Sequence, residues 1–161
     1  MTEKNDTKQL IDRLEATRNL SRDEWIRLIQ NRTADDADYL FERAQAVRTR
    51  HYGRSVYIRG LIEFTNYCKN DCFYCGIRKS NRNANRYRLT KEQILSCCEM
   101  GYALGFRTFV LQGGEDGSFT DDRLTDIISS IRTRWSDCAI TLSIGERSYE
   151  SYKQLYDAGA N

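Results

Sequence analysis

The sequence predicts an α/β fold in which a parallel sheet follows a segment of helices. The first 52 residues carry apolar side chains at helical spacing, as in Gln9–Leu14. Three later runs are rich in β-branched and aromatic residues and are predicted as strands: residues 55–64, 107–112 and 139–144. Because a predicted helix follows each run, the strands should form a parallel sheet with right-handed crossovers.

Capping boxes mark where two of the helices begin. Ser21–Glu24 and Thr90–Gln93 each place a hydroxyl three residues before a Glu or Gln side chain. The helix after Ser21 is predicted to bury Trp25, Ile26, Leu28 and Ile29 on one face. Further helices are predicted over residues 34–50, 121–135 and 148–158. We therefore predict an N-terminal helical segment over residues 1–52 and a β/α segment over residues 53–161.

The composition favours a soluble protein without a nucleic-acid or membrane partner. The 161 residues include 25 Lys and Arg against 23 Asp and Glu, so no strong basic charge is available for nucleic acid or an anionic membrane. No run of about 18 apolar residues could span a bilayer. The polar N-terminus lacks the apolar core of a signal peptide, so we expect a cytoplasmic location. Metal binding or catalysis is then a better interpretation of clustered cysteines than disulfides.

Three of the six cysteines, Cys68, Cys72 and Cys75, stand close together in a long polar segment after the first predicted strand. Thiolates on a flexible loop can converge on one metal centre. Structural zinc sites usually have four protein ligands, so three cysteines suggest a centre with one open position. A zinc loop with a distant fourth ligand is the alternative. The other three cysteines, Cys97, Cys98 and Cys138, are predicted to be buried small hydrophobes.

Three candidate loops follow the three predicted strands. They are the cysteine segment, the glycine-rich acidic segment Gly113–Phe119 and the turn Gly145–Arg147. Ligands of parallel α/β sheets bind beyond the carboxyl ends of the strands, where these loops should meet. The sequence leaves two roles open. Residues 81–88 are either a substrate-binding segment or a solvated loop, and Glu146 either lines a cavity or caps the next helix.

The spacing of Cys68, Cys72 and Cys75, with the aromatic Tyr74 before the last cysteine, resembles the motif of the radical S-adenosylmethionine (SAM) superfamily. The resemblance implies that the three thiolates hold three irons of a 4Fe–4S cluster and that SAM chelates the fourth. It also implies that the reduced cluster cleaves SAM to methionine and a 5′-deoxyadenosyl radical. Gly113, Gly114 and Glu115 resemble the segment that holds the methionine ammonium group in this superfamily.

Further segments resemble the HydE family of [FeFe]-hydrogenase maturases: Leu61–Asn66, Gly76–Arg78, Asn85–Arg88, Val110–Gln112 and Thr141–Glu146. The resemblance implies a (β/α)8 TIM-type barrel, of which this chain would hold the first three β/α units. It implies a small-molecule or small iron-complex substrate and possible work alongside the maturases HydF and HydG. By matched position, Gln112 and Thr141 would face the SAM or substrate cavity, and Ser143 would contact SAM.

Other functions remain open at this point. Methylornithine synthase and biotin-synthase-like enzymes share parts of the same pattern, and a binding module holding zinc or a passive iron–sulfur cluster is a different class of function. Three β/α units do not close a barrel of eight, which takes roughly 250 residues. We therefore expect the chain to be the N-terminal portion of a longer protein, with an incomplete active site that cleaves SAM inefficiently by itself.

Overall fold

The computed structural model describes residues 3–161. The first two residues of the predicted helical segment, residues 1–52, lie outside the described residues. The chain divides into two compact units between Val56 and Tyr57. The predicted domain boundary, between residues 52 and 53, stays a prediction. Within residues 3–161, none of the helices has the length and apolar character needed to cross a membrane.

The first unit contains three helices, α1 (Glu3–Thr17), α2 (Arg22–Gln30) and α3 (Ala34–Tyr52). The predicted capping box at Ser21 is present, and Gly53 ends α3 at a positive φ of 61°. The core of the unit contains Ile11, Leu20 and Leu28. The predicted apolar face of α2 is wrong in part, because Leu28 alone of its four residues is buried. A unit of this size buries a small fraction of its surface, so each helix buries only part of its apolar face.

The second unit alternates strands and helices as predicted. Its elements are β1 (Gly60–Thr65), α4 (Lys91–Ala103), β2 (Thr108–Gly113), α5 (Asp121–Arg134), β3 (Ala139–Ser143) and α6 (Tyr149–Asp157). The three strands pair in parallel in the order β1-β2-β3. The parallel register brings the carboxyl ends of all three strands, and the loops that follow them, to one edge of the sheet.

Strand β1 is shorter than predicted. Residues 55–59 have a strong β-forming composition, but they lie outside the strand and Val56 is 80% exposed. Gly60 pairs with Phe109 near the start of β2, and the register of β1 with β2 begins at this pair. A strand needs a packed face as well as β propensity, and residues 55–59 are all exposed.

The two faces of the sheet differ in character. One face packs against the helices through Ile62, Phe64, Phe109, Leu111 and Ile140, all of which belong to the buried core. Residues that alternate with them lie on the other face, where Leu61 is 55% exposed and Glu63 is also exposed. On this open face, Glu63 pairs with Gln112 and Gln112 with Ser143, so the register aligns three polar residues across the strands.

A matched pair of leucine substitutions tests this assignment of faces. Leu111 is fully buried on β2, and replacing it with Ala should lower the free energy of unfolding by about 2–5 kcal/mol because a cavity is left in the core. Leu61 lies on the open face, and Leu61→Ala should lower it by less than about 1 kcal/mol. Urea unfolding followed by circular dichroism measures both. Equal losses would contradict the assignment.

Candidate functional site

The three loops predicted to share one edge of the sheet do meet there. The cysteine loop, residues 66–88, contacts the loop after β2 where the Lys69 N–H donates to the Glu115 carbonyl at 3.0 Å. The side chain of Glu115 in turn lies against Gly145, in the turn after β3. A cleft of about 380 Å³ opens among these loops, with Lys69, Glu115, Glu146 and Arg147 among its lining residues. The sequence-based expectation of one shared edge is correct.

The three cysteines of the loop are all free thiols, but they are not gathered around one point. Cys72 is exposed, and Cys68 and Cys75 are half-buried. A turn closed by the Cys75 N–H and the Cys72 carbonyl, at 3.0 Å, holds the last two together. Among the side chains of residues 6–161, no group of three His, Cys, Asp or Glu is close enough to hold a metal ion. The role of Cys68, Cys72 and Cys75 as iron ligands therefore stays a prediction.

A single guanidinium group holds the interior of the cysteine loop. Arg86 donates to the Ile77 carbonyl at 2.9 Å, to the Arg78 carbonyl at 2.7 Å and to the Asn81 carbonyl at 3.2 Å, and it also bonds the Asn66 carbonyl. Charged donors make hydrogen bonds about twice as strong as neutral ones. Arg86, near the end of the cysteine loop, is therefore hydrogen-bonded to the backbone at the start of the loop and in its middle.

A buried carboxylate anchors both ends of the loop. Asp116 is 8% exposed and accepts two hydrogen bonds from Arg88, at 2.6 and 2.9 Å. It also accepts from the Thr65 hydroxyl at 2.7 Å and from the Ser118 N–H at 3.0 Å. Arg88 lies over the Tyr67 ring at 3.6 Å from its centroid. Because Thr65 ends β1 and Arg88 ends the cysteine loop, Asp116 joins three chain segments at one point.

These contacts perturb the acidity of Asp116. Burial by itself would raise the pKa of the carboxyl group. The hydrogen bonds from Arg88, from the Ser118 N–H and from Thr65 oppose burial and hold the pKa at about 2. Asp116 is therefore a fixed negative charge at neutral pH, matched by the adjacent Arg88.

The two glycines before Glu115 allow the loop after β2 to lie directly against the cysteine loop. A Cβ atom on Gly114 would stand 2.2 Å from the Tyr67 carbonyl oxygen and 2.7 Å from Cβ of Cys68. A Cβ atom on Gly113 would stand 2.6 Å from Cγ2 of Thr65. The backbone that Gly114 approaches belongs to the cysteine loop itself, and only a residue without a side chain fits there.

Glu115 lies between the cysteine loop and the turn after β3. Its carboxylate accepts from Asn70 Nδ2 at 2.6 Å and pairs with Lys69 Nζ at 2.9 Å. A Cβ atom on Gly145 would stand only 1.9 Å from Cγ of Glu115, so glycine is required where the side chain passes. The Lys69 hydrogen bond is the main cause of the lowered pKa of Glu115, with Asn70 and the Glu146 backbone also contributing.

The remaining predicted cofactor residues lie on or near the open face of the sheet, except Tyr74. Tyr74 is 94% exposed on the cysteine loop. Gln112 Nε2 makes a long contact of 3.5 Å to Oε1 of Glu63. Ser143 is exposed, and the buried Thr141 hydroxyl has no hydrogen-bond partner within the described chain. A buried hydroxyl without a partner is uncommon and marks a place where a ligand atom could bond.

The residues present fit an iron–sulfur cluster and SAM in their chemistry. Three unpaired thiols on one short stretch supply the ligands that such clusters take. The Thr141 hydroxyl without a partner and the Glu115 carboxylate supply an acceptor or donor for the polar groups of SAM.

Several residues that build the site were not identified from the sequence as such. Arg86, Arg88 and Asp116 hold the cysteine loop, so residues 81–88 serve mainly to fix that loop rather than to form a freely solvated segment. Glu146 lines the cleft, and its backbone bonds the Glu115 carboxylate. The arginines of the polar segment after the first strand could have indicated these anchoring contacts. Their partners could not be identified from the sequence, because Arg88, for example, bonds Asp116 in another loop.

The prediction for the other cysteines is correct for two and wrong for one. Cys98 and Cys138 are buried, and burial raises the pKa of the Cys98 thiol to about 12, which keeps it protonated and inert. Cys97 is exposed. Adjacent residues on a helix point about 100° apart, so α4 directs one cysteine to the core and its neighbour away from it.

The amino-acid sequence is similar to the sequences of several known proteins. The chain is 40% identical to the [FeFe] hydrogenase maturase subunit HydE of Thermotoga maritima over 122 residues, which cover 76% of this chain and 34% of that protein. It is 28% identical to 3-methylornithine synthase of Methanosarcina acetivorans over 144 residues, covering 88% of this chain and 41% of the synthase. The chain therefore spans well under half the length of these curated relatives. No protein-family model matches it.

Solved structures share the fold. The crystal structure of HydG, a maturase of the [FeFe]-hydrogenase, matches 98% of this chain with a TM-score of 0.85 at 25% identity, and 36% of that structure is covered. The crystal structure of methylornithine synthase (PylB) matches 94% of the chain with a TM-score of 0.79 at 27% identity, and 45% of it is covered. The helical segment and the three β/α units thus have counterparts within larger proteins.

The depressed pKa of Asp116 predicts how acid affects stability. Its folded pKa of about 2 lies below the unfolded value near 3.8, so ionised Asp116 contributes about 2 kcal/mol of stability above roughly pH 4. This contribution is lost as the pH falls from about 4 toward 2. Asp116→Asn should remove it at neutral pH, and the difference from the wild-type chain should shrink across that acidic range.

The matched control is Asp126→Asn. Asp126 pairs with Lys91 at 2.7 Å on the surface, where its side chain is 62% exposed, so its loss should cost less than about 1 kcal/mol. Urea unfolding between pH 2 and pH 7 measures both variants. A loss for Asp116→Asn no larger than the control, or one independent of pH, would contradict the anchoring role of Asp116.

Proposed function

The chain belongs to the radical SAM superfamily, whose members use a 4Fe–4S cluster and SAM, and from this premise we propose that it forms the cluster-binding and SAM-binding part of a HydE-like maturase. The observation that carries the proposal is the direct contact between the cysteine loop and the Gly113–Glu115 segment at one edge of the sheet. This contact supports the proposal because Lys69, the residue after Cys68, is hydrogen-bonded to Glu115.

In this proposal, Cys68, Cys72 and Cys75 hold three irons of the cluster. With both cofactors bound, the cluster would supply the electron that cleaves SAM into methionine and a 5′-deoxyadenosyl radical. The remaining residues bind and orient. Glu115 accepts hydrogen bonds from the methionine ammonium, and Gly113 and Gly114 allow the segment that carries it to lie directly against the cysteine loop.

The residues of the open face and of the loop complete the proposed SAM site. Gln112, Thr141 and Ser143 offer an amide and two hydroxyls that can bond a carboxylate or a ribose. The register aligns Gln112 with Ser143, and the Thr141 hydroxyl has no hydrogen-bond partner among the described residues. Tyr74 stands next to the ligand Cys75, where its ring can cover the edge of the bound cofactors.

The HydE assignment rests on the relative at 40% identity, against 28% for 3-methylornithine synthase. Following the HydE resemblance, we propose a small molecule or a small iron complex as substrate, a role in assembling the [FeFe]-hydrogenase active cluster alongside HydF and HydG, and a cytoplasmic location. The chain covers about a third of that relative, and these functions concern the whole protein.

Methylornithine synthase is the second candidate. Its curated relative covers more of the chain, 88% against 76%, and the fold of the crystallised enzyme matches with a TM-score of 0.79. A host that lacks HydE and expresses the gene encoding this chain separates the two. Recovery of active [FeFe]-hydrogenase supports the first candidate, and accumulation of 3-methylornithine without that recovery supports the second.

Anaerobic reconstitution with iron and sulfide tests the cluster ligands. The wild-type chain should take up about four irons, and Cys72→Ala should lose most of this iron because one thiolate ligand is removed. Cys97→Ala is the matched control, since Cys97 is also an exposed free thiol but lies on α4. It should retain the full iron content.

Electron paramagnetic resonance of the reduced chain adds a second measurement. Addition of SAM should change the spectrum of the cluster, because SAM would enter the position that the three cysteines leave open. Equal iron loss in both cysteine variants would refute the assigned ligands. Binding of zinc in place of a cluster would instead support the passive metal-binding module.

A further inference from the structure

The carboxylate proposed to bind the ammonium group of SAM already holds an ammonium group of the protein itself. Lys69 Nζ lies 2.9 Å from Oε2 of Glu115. Asn70, the next residue, donates to the other oxygen, Oε1, at 2.6 Å. Two neighbouring residues of the cysteine loop therefore occupy both oxygens of Glu115.

Glu115 and Lys69 differ in how firmly they are held. The Glu115 side chain is 17% exposed and is confined by Gly145 at its Cγ atom. The Lys69 side chain is 68% exposed, and the Glu115 carboxylate is the one partner recorded for its ammonium among the described residues. A long, exposed side chain can leave its partner with little cost, because it regains rotamer freedom and water.

Lys69 also has a second carboxylate nearby. Lys69 and Glu146 line the same cleft as Glu115. When another cation takes its place on Glu115, the ammonium of Lys69 therefore remains in a cleft that is lined by a second carboxylate.

We propose that Lys69 is a displaceable substitute for the ammonium group of SAM: it occupies Glu115 in the empty site and sets the affinity for SAM by competing for that carboxylate. This inference rests on the proposed role of Glu115. A lysine ammonium and the ammonium of an amino acid are the same kind of donor, and two such cations repel each other over one carboxylate oxygen. In this proposal, binding of SAM displaces Lys69.

The proposal predicts an effect opposite to that of an ordinary binding residue, since loss of Lys69 should tighten binding. The test uses S-adenosylhomocysteine, which carries the same ammonium group as SAM and is not cleaved. Binding to the reconstituted chain is measured anaerobically by calorimetry. Lys69→Met should lower the Kd about two- to fivefold, the range expected for removing a competing, largely exposed ion pair.

Two controls separate competition from a general change of charge. Lys79→Met removes a positive charge from the same loop, and the recorded partners of Glu115 do not include Lys79. It should change the Kd less than about twofold. 5′-Methylthioadenosine lacks the amino-acid ammonium, so its affinity should not respond to Lys69→Met. A similar gain for either control would overturn the proposal.

A double-mutant cycle identifies the carboxylate involved. In a Glu115→Gln background, the carboxylate for which the two cations compete is gone, and Lys69→Met should then have no further effect on the Kd. If the tightening persists in that background, or if Lys69→Met weakens binding, the proposal is wrong. Iron content and circular dichroism verify that each variant is loaded and folded, and Lys69→Gln serves as a second variant if Lys69→Met fails to fold.

The same experiment distinguishes this inference from the proposed function. A wild-type chain that takes up the cluster but does not bind S-adenosylhomocysteine would refute the proposed SAM site, and the role of Lys69 with it. Binding by the wild-type chain without any gain in Lys69→Met would leave the SAM site intact and refute the role of Lys69 alone.

Discussion

A buried carboxylate that joins three chain segments fixes the geometry of the whole functional edge. Asp116 receives hydrogen bonds from the end of β1 through Thr65 and from the end of the cysteine loop through Arg88. Burial of a charge is costly unless the charge is paired and fully hydrogen-bonded, and four donors satisfy Asp116 here. If this carboxylate were lost, both ends of the cysteine loop would be released together.

The position of Asp116 in the chain explains why the rest of the site depends on it. Glu115 is the preceding residue, so the contact that fixes Asp116 also aims Glu115 at the cysteine loop. Gly114 then brings the backbone within a distance that no side chain would permit. Arg86 organises the loop interior through carbonyl groups and leaves the three thiols free. The side chains that anchor the loop are thus separate from its three cysteine thiols.

Local pattern was sufficient to predict the elements but not the contacts between them. The capping boxes at Ser21 and Thr90 and the alternation of strands and helices predicted most boundaries within a few residues. The start of β1 was misplaced because residues 55–59 have β propensity but no packed face, since all five are exposed. Cys97 was misassigned because its exposure depends on which side of α4 faces the core. Both errors arise from packing that a single stretch of sequence does not contain.

In the candidate site, too, some residues could be identified from the sequence and others only from the structure. The cysteine spacing and the Gly-Gly-Glu segment could be identified from sequence because their residues are neighbours in the chain. The pairing of Arg88 with Asp116 and of Lys69 with Glu115 spans long separations, and charged residues in polar loops have many possible partners. Their importance follows from burial and geometry, which the structure alone provides.

The central claim is that these anchors order the cysteine loop before any cluster binds. Hydrogen exchange on the cluster-free chain, followed by nuclear magnetic resonance, tests it directly. The account predicts slow exchange at the backbone amides of Lys69, Lys79 and Tyr87, which donate to Glu115, Asn70 and Asn66, and fast exchange at the exposed Phe73 and Tyr74. Exchange at unfolded-chain rates throughout residues 66–88 would contradict it.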